Sequence, residues 1–454
     1  MDDQLTFPGM DAEPESSGRA RLERPERADL GPVRLRLADR QQVRMIARSL
    51  DEMLHPEHQA RVVWLMVDRL DLSDFKAAIA ARGSEPGRPA TDPHILIALW
   101  LYASLEGIGS GRELTRLCEA HDAYRWIVGG VSLNYHTIND FRVDHGQALD
   151  ALFTQVIALL VKQGLVDVTR LTQDGVRVRA SAGTSSFRRE SSLTQLQADA
   201  RAHLEALKTQ NDPAWSARQQ ARQLADAQDR QNRLDEALRQ LPLQQAAQAL
   251  AARRSGLDQP REARISTTDP DARRMKIADG GYRPAYNVQL AADPTSRAIV
   301  GVDVTNQGTD GHLDEPMRQQ VEQRTGQKVK EHLVDGGYAV LDAIDQAEAN
   351  GVTIYAPVKS AGKSNADPHA RKPKDTDHTF AWRQRMAGEE AKAIYRQRAA
   401  TIETVNADLT EHRGLRQFPV RGSPKVRCVA LWLALAYNIL HFGPTLIAAA
   451  NLSS

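Results

Sequence analysis

Apolar residues recur at helical spacing from about residue 50 to 165, and in short strand-like runs after that. Thr91-Asp92-Pro93 reads as a helix start, a capping side chain ahead of a proline in the first turn. The helix that follows is apolar at Ile95, Leu96, Leu99 and Leu101, and Gly107-Ile108-Gly109 breaks it. Ser110, with Glu113 three residues on, predicts a capping box ahead of a helix carrying Leu114 and Leu117. After Gly129-Gly130, Ser132 opens the segment LNYHTINDFRVDH. Short helices joined by glycine turns predict a helix-turn-helix-like unit, with Asn134 to Arg142 as the recognition element. Asn139 and Arg142 would then reach bases or phosphates. An ordinary helical bundle fits the same spacing. Upstream, Arg40, Arg44 and Arg48 would share one helix face, either a solvated face or a phosphate-contacting one.

At Leu165 the pattern changes. VDVTRLTQDGVRVRA reads as a strand ending in a carboxylate at the break Asp174-Gly175. Residues 190–258 are rich in Ala, Gln, Arg and Leu at helical spacing, which predicts a helical hairpin inserted in the sheet domain and broken near Asp212-Pro213. PAYNVQLAAD and AIVGVDVTN are two further β runs, followed by a helix over about 312–324 and a short strand ending at Asp335. A helix over about 338–350, the strand VTIYAPVK, a polar loop over 360–377 and a helix from Glu389 to Leu409 come next. The apolar stretch from Val429 to Ala450 is long enough to span a membrane. Asn438, His441 and Pro444 interrupt it, so it reads as a buried helix. The expected fold class is α/β. A disordered leader over 1–30 precedes an all-helical domain over 31–163, and a mixed-sheet domain with a helical insert at about 190–260 occupies 164–450.

Composition narrows the function classes. The 454 residues include 59 Lys+Arg against 58 Asp+Glu, a net charge of +1, which excludes a uniformly basic nucleic-acid coat but not local patches. Two cysteines, Cys118 and Cys428, cannot build a disulfide framework or a cysteine-rich zinc site, and a reducing cytoplasm fits them. The first residues lack the basic start and apolar run of a signal peptide.

The candidate chemistry lies in carboxylates. Asp174 and Asp335 each end a predicted strand and precede a glycine. Two such side chains suit Mg²⁺, which takes oxygen ligands and typically uses one or two protein carboxylates plus substrate phosphate oxygens. A third carboxylate would allow a two-metal phosphoryl-transfer site. Glu403 could supply it from a helix that also carries Tyr395 and Arg398, whose planar fork suits a phosphate. Each residue has a plainer reading: an Asp-Gly pair is a turn, and Glu403 is a solvated side chain. Asp174 and Asp335 are 161 positions apart, so spacing does not show that they meet. Gly362-Lys363-Ser364 mimics the end of a phosphate loop, but Pro357 stands where that motif needs glycine. His312, Asp314 and Glu315 read as helix-start residues.

Taken in series, the motifs resemble a known family. GRPATDPHILIALWLYASLEGIGSGRELTRLCEAHDAYRWIVGG with HTINDFR, then TQDGVRVRASAG, GGYRPAYNVQLAAD, HLVDGGY, YRQRAATIE and RGLRQFPVRGSPKVRCVALWLALAYNIL are similar to a DDE transposase of the IS4/IS5/IS1182-like insertion-sequence group. The similarity runs from about residue 45 to 442. It implies an RNase H-like catalytic domain in which Asp174, Asp335 and Glu403 are the catalytic and metal-holding residues. Tyr395 and Arg398 map onto a signature that contacts DNA. Thr410 stands where many relatives carry a lysine, and Arg413 or Arg416 would replace that DNA contact. The implied cofactor is Mg²⁺, with Mn²⁺ as a substitute. The implied partners are double-stranded terminal repeats and target DNA, with no membrane, and synapsis of two ends is compatible with a homodimer. The implied reaction is phosphodiester hydrolysis at the element ends and transfer of the freed 3′-hydroxyl to target DNA, in the cytoplasm at the nucleoid. Two other readings compete: a catalytically silent DNA-binding protein of the same descent, and a helical scaffold organised by the insert.

Overall fold

The switch from helical to strand periodicity falls between the helix Gly146–Lys162 and the strand Arg170–Arg179 in the computed structural model. The structure describes residues 47–82, 89–209, 215–359 and 367–451, with isolated positions between 38 and 45. The leader expected over 1–30, Arg44 and the Asp212-Pro213 break lie outside the described residues; Arg40 is in a turn and Arg48 outside any helix, so the two do not share the expected helix face.

The first half is helical: α1 (Gln59–Val67), α2 (Ser73–Ala77), α3 (Pro93–Leu105), α4 (Gly111–Ala120), α5 (Asp122–Val128), α6 (Tyr135–Asp144) and α7 (Gly146–Lys162). The start of α3 is as its sequence predicts, with the Asp92 carboxylate accepting the His94 N–H at 3.0 Å and Pro93 in the first turn. At α4 only half of the predicted box forms. Ser110 Oγ accepts the Glu113 N–H at 3.4 Å, but the Glu113 carboxylate turns to Arg116 instead.

The second half begins with β1 (Arg170–Arg179) and β2 (Phe187–Arg188), then the hairpin α8 (Glu190–Thr209) and α9 (Ala217–Arg254), then β3 (Ile265–Ser266). β2 and β3 pair as a two-stranded ribbon that closes the base of the hairpin. Leu193, Ala200, Leu234, Ala237, Leu241 and Ile265 give the insert a small core of its own. Next come β4 (Arg273–Lys276), β5 (Tyr282–Ala292), β6 (Ile299–Thr305), α10 (Asp314–Thr325), β7 (Glu331–Leu333), α11 (Leu341–Ala349) and β8 (Thr353–Tyr355). The chain ends with α12 (Asp377–Ala387), α13 (Glu389–Arg398), α14 (Thr404–Glu411) and α15 (Ser423–Asn451). In the main sheet, β5 lies antiparallel to β1 on one edge and to β4 and β6 on the other. β1 continues into a parallel pair with β7, and β7 into one with β8. The architecture is therefore mixed α/β with a helical first half.

The apolar terminal stretch is a core helix. α15 packs on α1, α3 and α7 on one side and on β6 on the other, so one hydrophobic core runs through both halves of residues 49–454. Asn438, the polar interruption noted above, is fully buried for a backbone reason. Its Oδ1 accepts the Ile299 N–H at 2.9 Å and its Nδ2 donates to the Ile299 C=O at 2.8 Å, where the register of β5 and β6 shifts. Asn438→Ala leaves both backbone groups unpaired in the core and is expected to cost about 2–4 kcal/mol in urea unfolding.

His332, on β7, is also fully buried, with Nδ1 at 3.2 Å from Arg318 Nη1. Burial, with Arg318 adding to it, holds its imidazole well below the ordinary 6.5. The folded chain keeps this ring neutral while the unfolded chain protonates it below pH 6.5. Its contribution is present above that pH and is lost as pH falls, with a slope of up to about 1.4 kcal/mol per unit. Unfolding measured at pH 7.5 and 5.5 is expected to show a flatter pH dependence for His332→Gln than for the parent.

Candidate active site

The pairing of β1 with β7 decides where the two aspartates lie. The register is parallel, with Arg170 opposite Glu331, Leu171 opposite His332 and Thr172 opposite Leu333. The same offset of 161 relates Asp174 to Asp335, and each lies two residues beyond the last pair, where the two strands part. Neighbouring strands lie about 4.8 Å apart. Asp174 does not end its strand, as the Asp-Gly pair suggested. β1 runs on to Arg179, because β5 pairs with it from Thr172 to Arg179. β7 stops at Leu333, and its departure opens a notch beside Asp174. Asp335 sits in the turn past that end, where its Oδ1 accepts the Gly337 N–H at 2.7 Å.

The helix facing the notch carries Tyr395, Arg398 and Glu403. In an α-helix, residues five apart point about 140° away from one another. Here Ala399–Glu403 form a π-turn between α13 and α14. The extra residue is absorbed in one wide turn, which returns Arg398 and Glu403 to a common face. The nearly buried Arg398 side chain then bridges two acids, with Nη2 at 2.9 Å from Asp174 Oδ1 and Nη1 at 3.1 Å from Glu403 Oε1. Asn406 donates to Asp174 Oδ2 at 3.0 Å, and the Gly175 N–H to Oδ1 at 2.9 Å. Burial pushes the Asp174 carboxyl up; Arg398 and the Gly175 N–H oppose this, while Asp335 and Asp310 add to it. Burial likewise pushes up the Tyr395 phenol, against the pull of Arg398.

The structure thus gathers Asp174, Asp335, Glu403, Tyr395 and Arg398. Sequence reasoning missed Asn406, one turn after Glu403, and Asp310, a buried acid in the loop before α10. Spacing from Glu403 could have suggested the first. For the second, the chain carried only an unremarkable Thr-Asp-Gly.

The expected DNA contacts in the helical half need correction. Arg142 is inside the protein: its Nη1 donates to the Gly109 C=O at 2.6 Å and its guanidinium lies 4.5 Å from the centre of the Trp100 ring. Burial lowers its pKa to about 10. Asn139 packs against the start of α4, where a Cβ on Gly111 would fall 2.4 Å from its Oδ1. The face that α6 leaves exposed carries His136, Asp140 and Asp144, and two acids there repel phosphate. The segment is part of a bundle, not an exposed recognition helix. Arg413 is also committed, bonding Asp408 at 3.2 Å and the Leu105 C=O, so it ties α14 to the end of α3. Arg416 is more than half exposed and pairs with Glu411. Thr410 turns its hydroxyl back to the Asn406 C=O at 2.8 Å.

A family model described as a transposase DDE domain matches residues 259–439, and one described as a transposase domain (DUF772) matches residues 48–144. The chain belongs to the DDE transposase family. No curated protein and no solved structure matches it. The DDE-domain match contains Asp335, Tyr395, Arg398 and Glu403, whereas Asp174 lies upstream of it, across the helical hairpin.

Transposases of this family generally use divalent metal ions. The donor chemistry here fits such an ion. Asp174, Asp335 and Glu403 offer hard oxygens and face the Arg398 guanidinium, which leaves the cluster negative. Among the described residues, however, no three acidic, His or Cys side chains are drawn together as a finished metal cage. Arg398 stands between Asp174 and Glu403, where a cation would draw them together.

The π-turn makes an unusual deletion tolerable. Removing the exposed Ala400 leaves Arg398 and the glutamate four apart, the same-face spacing of a regular α-helix. The deletion is expected to keep the melting temperature within a few degrees of the parent. Inserting an alanine at that point instead is expected to lower it sharply, because the glutamate then leaves the shared face.

Proposed function

We propose that this transposase cuts and joins DNA at insertion-sequence ends with Mg²⁺, or Mn²⁺ in its place, held by Asp174, Asp335 and Glu403 on an RNase H-like sheet. What supports the reading is one juxtaposition: Asp174 on β1 and Asp335 in the turn just past the paired end of β7, beside a helix that presents Arg398 and Glu403 together. When bound, the metal supplies Lewis acidity at the scissile phosphate.

The chain's own groups do the rest. Arg398 neutralises Asp174 and Glu403 in the resting site. A DNA phosphate entering the notch offers its guanidinium a bidentate partner, and its move there releases both carboxylates. Tyr395, kept protonated by burial, donates a hydrogen bond to phosphate and is a poor nucleophile. Asn406 holds one oxygen of Asp174 throughout, so the carboxylate keeps its orientation as Arg398 leaves. Arg416, the exposed cation near the end of α14, adds a backbone contact. Two element ends are brought together by two copies of the chain, in the cytoplasm at the nucleoid.

The test incubates the full chain with a duplex carrying its element's terminal sequences and Mg²⁺. The parent is expected to nick this duplex, and Asp335→Ala to bind it equally but lose cleavage by at least about a thousandfold. Binding without nicking by the parent, in Mg²⁺ and in Mn²⁺, would instead identify a silent DNA-binding protein.

A further inference from the structure

We infer that Asp310 is a positioning residue that locks the stretch of β1 bearing Asp174 to the turn bearing Asp335; this rests on reading those two acids as the metal-holding set. Asp310 lies on the reverse side of the sheet from Asp174. Side chains alternate along β1, so Gln173, Gly175 and Arg177 face opposite to Asp174. The register of β1 with β5 puts Gln289 beside Gly175 and Asn287 beside Arg177 on that reverse face. Beneath the catalytic row there is thus a buried polar layer where a sheet ordinarily packs on hydrophobic side chains.

Asp310 is the hub of that layer. Its Oδ1 accepts Asn287 Nδ2 at 2.8 Å and Gln289 Nε2 at 3.0 Å, and its Oδ2 accepts Arg177 Nη2 at 2.6 Å. Two arms leave the hub. In one, Arg177 Nη1 donates to the Gly175 C=O at 3.1 Å, which holds the main chain beside Asp174. In the other, Gln289 Oε1 accepts the Tyr338 hydroxyl, and the Tyr338 N–H donates to the Asp335 C=O at 3.2 Å. The second arm therefore ends on the turn that carries Asp335.

Two glycines let the layer touch the backbone. A Cβ on Gly175 would fall 2.5 Å from Asp310 Oδ1 and 2.4 Å from Gln289 Nε2. One on Gly337 would fall 2.9 Å from Asp335 Oδ1 and 3.3 Å from Asp310 Oδ2. The Asp-Gly pair at 174–175 is thus a packing requirement, not a turn.

Only a carboxylate suits the hub. Three donors converge on it, and an asparagine there would aim its own N–H₂ at one of them. Since Asp310 faces Arg177, Asn287 and Gln289 across the sheet from Asp174, it acts through Asp174 and Asp335 and does not itself hold the metal.

The experiment compares the full-length parent with Asp310→Asn and Tyr338→Phe. The latter cuts the arm to Asp335 and leaves the charges in place. Mn²⁺ binding is read by calorimetry without DNA, and nicking of the element-end duplex is followed across a Mn²⁺ titration. Asp310→Asn is expected to weaken Mn²⁺ binding by about tenfold and to raise the Mn²⁺ midpoint for nicking to match, with Tyr338→Phe shifting both the same way by a smaller factor. A merely structural role would lower the melting temperature and leave the Mn²⁺ midpoint where it is. A folded Asp310→Asn with the parent's Mn²⁺ affinity overturns the inference. If that variant fails to fold, Tyr338→Phe decides by the same criterion. A parent that binds Mn²⁺ but does not nick DNA overturns the proposed reaction alone, and the calorimetric comparison still decides the role of Asp310.

Discussion

The site depends on a parallel strand pair only three residues long. β1 and β7 meet from Arg170 and Glu331 to Thr172 and Leu333, and both aspartates lie just beyond that pairing. A slip of one residue would turn Asp335 to the opposite face, because side chains alternate with a period of two. Three pairs cannot hold such a register by themselves. They are held from both faces: Arg170 pairs with Glu331 on the side of α13, and His332 is fixed against Arg318 of α10 on the other. The long antiparallel pairing of β1 with β5 anchors the whole arrangement in a strand that cannot shift without breaking eight register partners.

A cluster of buried acids is costly for a fold, and the surrounding architecture shows how the cost is met. α15 places an apolar helix through the centre of the molecule, with Leu431, Ala434 and Leu435 fully buried between the helical half and the sheet. That core supplies the rigidity against which an incompletely neutralised site can be held. Arg398 reduces the local charge, but burial, with a smaller push from Asp335 and Asp310, still holds the Asp174 carboxyl above its ordinary range.

Much of the element order was legible, and the failures have identifiable causes. The insert hairpin, β5, β6 and α10 follow strong periodicities that local pattern reveals. β4 was missed because Arg273–Lys276 shows no apolar alternation, and it is a strand only because β5 extends beyond β6 to receive it. α12 was missed because its buried face includes Thr379 and Arg383 beside Trp382 and Met386. Arg383 can be buried there only because Asp375 pairs with it at 2.8 Å. At Asp174-Gly175 the turn preference of the dipeptide lost to strand pairing. At Arg142 the charge suggested a surface, yet the guanidinium stacks on Trp100 and caps the Gly109 carbonyl indoors.

The residues along the chain determined which groups were available: two aspartates each followed by glycine, a helix with Tyr395, Arg398 and Glu403, and an apolar terminal helix. Their chemistry follows from composition and local period, which act over a few residues. Whether the two aspartates meet, whether Glu403 shares a face with Arg398, and what lies beneath Asp174 were decided by the tertiary structure. Those outcomes depend on a strand register, a single π-turn and a reverse-face polar layer that join residues more than a hundred positions apart, and no local pattern encodes such distances.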